Sequence, residues 1–188
     1  MKNQGIKFGL IYGVLSIVLS LVTYFTAPEN LISFTSWTAI AGLVLMLACM
    51  FMSSKNTRDH KGGFISFGEA LVPSIITFLI GNVMVLTYMY LLTNFIDPDI
   101  QETLKQSTLD MQRGMLEMTG MSEDQVLETL EKAEAETGNQ FGLSTLLLGT
   151  LSNVFIMGLP ISAIIAAIVK KKEPVSYTHL TLPTTPYV

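Results

Sequence analysis

Four long apolar stretches set the pattern of the chain. They run from Ile6 to Phe25, Ser36 to Met52, Ala70 to Phe95 and Leu143 to Val169, and Lys7 is the only charged residue within them. The hydrocarbon core of a bilayer, about 30 Å thick, is crossed by about 20 helical residues. Because backbone N–H and C=O groups in lipid must be paired within their own segment, we predict four transmembrane helices.

The polar segment between the third and fourth stretches, 96–140, predicts two further helices. The first is expected to begin with Asp97 as N-cap and Pro98 at the first helical position, and to end at Gly120. The second is expected to begin at the capping-box sequence Ser122-Glu123-Asp124-Gln125 and to stop at Thr137-Gly138-Asn139. Spacings of three and four give each helix one apolar face: Ile100, Leu104, Met111, Met115 and Met118 on the first, and Val126, Leu127, Leu130 and Ala133 on the second. This pattern indicates a helical hairpin that closes on itself or on a partner. Leu104 and the three methionines are expected to pack on Val126, Leu127 and Leu130 or on a second copy of the chain.

The placement of basic residues orients the predicted helices. Eight of the eleven Lys and Arg residues lie at the end of the bundle that holds both chain termini and the loop after the second stretch. The positive-inside rule puts that end in the cytoplasm, so the N- and C-termini are both inside. The hairpin then lies outside the cytoplasm, where eleven acids against three bases give it a net charge of −8. We therefore predict an all-α membrane protein, N-in/C-in, with four transmembrane helices and an extracytoplasmic helical hairpin between spans three and four.

Composition argues against several classes of function. Charged residues make up 14% of the chain, against about 25% in soluble globular proteins. Cys49 is the only cysteine, which rules out an intrachain disulfide and a CxxC metal or redox site. His60 and His179 lie far apart in polar segments, which argues against a histidine metal site or a catalytic dyad. We expect no enzyme activity, no cofactor and no nucleic-acid partner; the expected partners are the lipid bilayer and a protein or a second copy of the chain.

A stripe of small residues follows one face of the first span. It comprises Gly5, Gly9, Gly13, Ser16 and Ser20, spaced by four, four, three and four residues. Small residues let helix backbones approach closely in lipid, where no hydrophobic force drives association. The stripe is interpreted as a helix-packing contact, either with another span of the same chain or, alternatively, in a homodimer.

Two asparagines lie near the middle of the third and fourth spans. Asn82 and Asn153 are predicted to differ in depth by about 3 Å at the helical rise. A side-chain amide in lipid is costly, so both are expected to face protein and to form an interhelical polar contact. The alternative is a polar step in a conduction path.

Two residues in these spans have predicted local roles. Glu69, at the start of the third span, is expected to complement the helix dipole in the first turn. Pro160, deep in the fourth span, is expected to kink that helix.

The chain divides into four predicted parts. Residues 1–95 hold spans one to three with a basic loop at 53–63, residues 96–142 the acidic hairpin, residues 143–175 span four and its basic end, and residues 176–188 a tail. The tail, Ser176–Val188, has no charge and no helical period, and it resembles a translated sequencing-adapter read-through. We interpret it as non-native and disordered, so His179 carries no function.

Three short sequences carry a resemblance to a known family. They are Gly-Phe-Ile-Ser-Phe-Gly-Glu-Ala over 63–70, Asn-Phe-Ile-Asp-Pro over 94–98, and Lys170-Lys171-Lys172 after the fourth span. Together with the four spans and the long polar segment, they resemble the bacterial membrane family catalogued as domain of unknown function 4199, over about Lys2 to Pro174. The resemblance implies a multi-pass protein of the inner (plasma) membrane of Gram-negative bacteria. It implies no activity and no site residue.

The apolar faces of the acidic hairpin favour one function. We predict a non-enzymatic interaction or assembly component that acts through the extracytoplasmic hairpin. The alternative is a small transporter or channel subunit with a polar path near Asn82 and Asn153. A channel needs a continuous polar lining, and the spans offer only scattered Ser, Thr and Asn, which favours a packed bundle.

Overall fold

The computed structural model describes residues 2–31, 37–136 and 141–171. Four segments are long and apolar enough to cross a membrane: Asn3–Thr26, Trp37–His60, Phe67–Ile96 and Leu143–Val169. The chain is therefore a multi-pass membrane protein, and the predicted all-α fold with four such segments is confirmed. Apart from one antiparallel bridge between Ile65 and Lys171, these three ranges contain no β-structure.

The four membrane segments and the polar segment consist of the following helices. They are α1 (Lys2–Thr26), α2 (Trp37–His60), α3 (Phe67–Leu91), α4 (Ile100–Met118), α5 (Glu123–Glu136), α6 (Leu143–Asn153) and α7 (Leu159–Val169). A 3₁₀ turn, Pro28–Asn30, follows α1. One π-turn, Leu92–Ile96, continues α3, and another, Val154–Gly158, joins α6 to α7. We call the end of the bundle with Lys55, Arg58, Lys61, Lys170 and Lys171 the basic end, and the end with α4 and α5 the acidic end.

The most extensive helix–helix contact in the described ranges is between α1 and α3. A Cβ atom added to Gly5 would lie 2.8 Å from Ile76 Cβ, and one added to Gly9 would lie 2.8 Å from Ile80 Cβ. Conversely, the Tyr12 ring of α1 packs directly on Gly81 of α3. A Cβ atom added to Gly81 would lie 1.9 Å from Tyr12 Cδ1 and would overlap the ring. Glycine on both helices therefore lets their backbones come together, as close packing in lipid requires.

Helix α2 extends beyond its apolar stretch, through polar residues that were predicted to form a loop. The predicted loop at 53–63 is helical as far as His60. The reason is packing, because Ser53, Ser54 and Thr57 are buried. The Ser53 hydroxyl donates to the Pro73 carbonyl at 3.2 Å, and the Ser54 hydroxyl donates to the Ala70 carbonyl at 2.7 Å. These bonds to α3 give the buried hydroxyls partners without water.

The basic end is closed by contacts between the starts and ends of helices. Ser66 caps α3: its hydroxyl accepts from the Glu69 N–H, and the Glu69 carboxylate accepts from the Ser66 N–H at 3.0 Å. Lys61 forms an ion pair with the same carboxylate. Ile65 pairs through two backbone hydrogen bonds with Lys171, which joins the start of α3 to the end of α7. Glu69 therefore completes a capping box, as its predicted first-turn role implies.

The fourth span has two unlike halves separated by the π-turn. Pro160 has no N–H to donate to a carbonyl in the preceding turn, and the helix is interrupted at Val154–Gly158, just before it. The α7 half buries Ser162, Ile165, Ala166 and Val169. The α6 half has no buried residue. The interruption lies where the predicted kink was placed.

Some predictions fall outside the described ranges. The predicted non-native tail, Ser176–Val188, with His179, is one of them, and the predicted end of the hairpin at 137–139 is another. Both stay predictions.

Candidate functional site

The first half of α4 is anchored in a small core at the acidic end of the bundle. Ile100 and Leu104 are buried, and they pack with Leu92 and Phe141. Leu104 is fully buried, with 0% of its surface exposed. The structure therefore corrects the prediction that Leu104 packs on α5 or on a second copy, because an apolar surface of its own bundle is closer.

Three polar contacts surround this core. The Tyr24 hydroxyl donates to Asp97 Oδ2 at 2.9 Å, the Gln101 amide donates to the Thr93 carbonyl at 2.7 Å, and the Asn94 amide donates to the Phe141 carbonyl at 3.1 Å. Asp97 was predicted to be the N-cap of this helix. Instead its side chain binds Tyr24 and α4 begins at Ile100, so the tertiary contact replaces the local cap.

The second half of α4 and the helix α5 form an arm that leaves this core. Helix α4 ends at Met118, and Gly120 has a φ of +79°, a left-handed conformation that turns the chain toward α5 at little steric cost. Among the described side chains of α5, Val126 is buried, at 2% exposed. The Ser122 N–H donates to Gln125 Oε1 at 3.2 Å, which forms half of the predicted capping box.

Large apolar side chains are left exposed around this turn. Met118 is 89% exposed and Met115 61% exposed, and Met121 and Leu127 are also exposed. We call these four residues the methionine tip. Met115 and Met118 are therefore not covered by α5 within one chain, and their predicted alternative packing on a second copy stays a prediction. Within one chain, only part of the apolar face of each helix finds a partner.

The methionine tip is surrounded by acidic residues. Arg113 pairs with Glu117 at 2.9 Å and reaches Glu123 at 3.8 Å, and Lys132 pairs with Glu128 at 2.6 Å. Asp110, Glu123 and Asp124 are exposed in addition. Because the acids outnumber the bases, the tip is an apolar patch in a negative field.

The small-residue stripe of α1 faces the same chain. Gly5, Gly9 and Gly13 lie against Ile76, Ile80 and Met84 of α3, three residues spaced by four. Ser16 and Ser20, farther along the stripe, are half-buried. Of the two alternatives for the stripe, the three glycines use the contact within the chain.

The two asparagines do not form the predicted interhelical pair. Asn82 is half-buried, and its amide donates to the Phe78 carbonyl of its own helix at 2.8 Å. Asn153 is exposed on the surface of α6. The next residue, Val154, is buried, and Gly158 packs on Phe78. Because neighbouring helical residues point about 100° apart, seating Val154 against the bundle turns Asn153 away from it.

Groups suited to metal binding are not assembled in the described ranges, where no set of three or more His, Cys, Asp or Glu side chains could hold an ion. His60 is exposed, and its Nδ1 lies 2.7 Å from the Asn56 carbonyl. Cys49 is buried. The site that the geometry does present is the arm, which has an anchored base and an apolar tip.

Comparison with known proteins identifies a family for this chain. A search of curated proteins and a search of solved structures both return no match. A family model described as "Protein of unknown function (DUF4199)" matches residues 7–171, which include most of the first membrane segment, all of the other three and the arm. The resemblance carried by the short sequence motifs is thus confirmed. The chain belongs to the DUF4199 family.

Proposed function

We propose that this protein is a non-enzymatic interaction or assembly component of the bacterial inner membrane, and that its acidic arm binds a partner protein outside the cytoplasm. The observation that supports this most is the exposed methionine tip, at the end of an arm whose base is anchored by the buried Leu104. Apolar area left in water forfeits about 25 cal/mol per Å², so a partner surface that covers the tip gains this amount.

The side chains of the methionine tip and its surroundings indicate what kind of surface the partner has. Methionine side chains are unbranched and flexible, and they adapt to apolar surfaces of varied shape. The acids around the tip favour a surface with basic residues beside its apolar patch, and they speed association with it. The proposed partner is therefore a protein with an apolar patch bordered by Lys or Arg.

Site-specific photo-cross-linking in native membranes tests this proposal. A photoreactive side chain replaces Met118 at the tip, and in a matched control it replaces Gln106, an exposed residue nearer the base of the same helix. We expect a discrete cross-linked protein from position 118 that is absent or much weaker from position 106. Replacing Glu117 and Glu123 with Gln should reduce its yield. Equal labelling at both positions, or none at 118, would refute the interaction role.

The transporter or channel alternative has less support. Its polar path needed Asn82 and Asn153 on the inner side of the bundle, and Asn153 lies on the outer side. The buried hydroxyls of Ser53 and Ser54 already have partners on α3, which suits packing between helices.

A further inference from the structure

Asn153 is a polar side chain exposed at the depth of the bilayer centre. It follows Leu143 by ten residues in the membrane segment Leu143–Val169, which places it about 15 Å along the span at the helical rise. The hydrocarbon core is about 30 Å thick, so this depth is near its middle. Asn153 therefore lies where lipid tails offer no hydrogen bond.

Its amide has no hydrogen-bond partner within the described part of the chain. Two other asparagines of the spans differ in this respect. Asn82 donates to the Phe78 carbonyl at 2.8 Å, and Asn94 donates to the Tyr90 carbonyl at 3.1 Å, each four residues earlier on its own helix. Asn153 is exposed instead. A polar group that faces hydrocarbon without a partner is costly, so polar side chains at this depth normally face protein.

The apolar neighbours of Asn153 can face lipid tails, whereas its amide cannot. Ile156 and Met157, three and four residues after Asn153, are exposed, and lipid tails solvate such side chains as well as protein does. The Asn153 amide, unlike these apolar side chains, requires a polar partner. One turn before it, Gly149 is exposed, and a Cβ atom added there would meet nothing within 4 Å. A second helix can thus approach the backbone of α6 closely beside the amide.

We propose that a second copy of this chain covers this face, as a two-fold symmetric dimer in which the Asn153 side chains of the two copies hydrogen-bond to each other. A primary amide is self-complementary, because its NH₂ group donates and its carbonyl oxygen accepts. A two-fold axis beside α6 brings identical residues together, so the two amides exchange two hydrogen bonds without any further polar residue. This dimer contact is separate from the methionine tip, and it does not depend on the function proposed for the arm.

Replacement of Asn153 tests the dimer directly. The wild-type protein, Asn153→Leu and the control Asn82→Leu are compared in lipid bilayers by single-molecule photobleaching over a range of protein-to-lipid ratios. The control removes an amide of the same chemistry that is bonded within its own helix. We expect dimers for the wild type and for Asn82→Leu, and about tenfold weaker dimerisation for Asn153→Leu. A monomeric wild type, or an unchanged Asn153→Leu, would overturn the proposal.

Disulfide cross-linking locates the contact independently of any loss of stability. In a Cys49→Ser background, Asn153→Cys is oxidised beside the control Leu148→Cys, which is exposed on α6 about 140° around the helix. We expect dimer-sized product from position 153 and little from position 148. Equal yields would show random collision and contradict the interface. A Met118→Ser variant should cross-link at position 153 as the parent does, which keeps the outcome separate from that of the arm.

Discussion

At the scale of single residues, the effect of a glycine depends on what lies opposite it. Gly5, Gly9 and Gly81 are each in contact with a side chain of the neighbouring helix, whereas Gly68 and Gly114 have nothing within 4 Å of an added Cβ. The same residue type is therefore essential to packing in one place and replaceable in another. The sequence pattern alone does not separate these cases, because the difference lies on the opposing helix.

A matched pair of substitutions on α3 tests this distinction. Gly81→Ala places a methyl group inside the volume of the Tyr12 ring, so we expect a loss of about 1–3 kcal/mol in the free energy of unfolding. Gly68→Ala, in the first turn of the same helix, meets open space and should be neutral or slightly stabilising. Unfolding of the detergent-solubilised protein, followed by circular dichroism, measures both. Equal stability of the two variants would contradict the α1–α3 packing described above.

At the scale of the element, α4 is one amphipathic helix with two roles. Its apolar residues near the start, Ile100 and Leu104, are buried in the core at the acidic end, and those near the finish, Met115 and Met118, are exposed. The period of the pattern predicted one continuous apolar face. The π-turn at Leu92–Ile96 sets the direction in which α4 leaves the bundle, and this direction decides which part of the face is buried. The periodicity of the sequence does not predict that direction.

Truncation at the base of the arm should release it. Leu104→Ala removes a fully buried side chain, so we expect a local loss of about 2–5 kcal/mol and faster amide exchange throughout α4. Met118→Ala, at an 89% exposed position of the same helix, is the control and should leave exchange unchanged. Hydrogen–deuterium exchange with mass spectrometry reports both. Protection in α4 that survives Leu104→Ala would mean that the arm is held by contacts other than this core.

At the scale of the whole molecule, charge divides the bundle into two ends. The loops and helix ends that carry Lys55, Arg58, Lys61, Lys170 and Lys171 meet at one end, where Ile65 pairs with Lys171. The segment with eleven acids lies at the other end. The positive-inside rule then predicts a cytoplasmic basic end and an arm on the far side.

Reporter fusions test that orientation. A reporter joined after Lys172 should be active as a cytoplasmic marker, and one inserted beside Gly120 should be active only on the far side of the membrane. The fusion after Lys172 serves as the control for insertion, since it follows the last span. A cytoplasmic signal from the Gly120 insertion would reverse the arm and, with it, the side on which its partner is sought.

The sequence by itself determined the class of the protein, its four membrane segments and the helical character of the arm. These features follow from local chemistry: uncharged runs of sufficient length must be helical in lipid, and capping residues such as Ser66 and Glu69 act within one turn. The position of a residue along its membrane helix can also be predicted from the sequence, because it depends only on the number of residues and the constant helical rise.

Rotation about each helix axis was decided only by the tertiary structure. Asn153 lies near the middle of its membrane segment but faces outward, because Val154 and Gly158 pack against the bundle. Asp97 binds Tyr24, which is 73 residues away in the chain, instead of capping its own helix. In both cases the outcome depends on which neighbour a side chain meets. That neighbour belongs to a distant segment, and a periodic pattern within one helix carries no information about it.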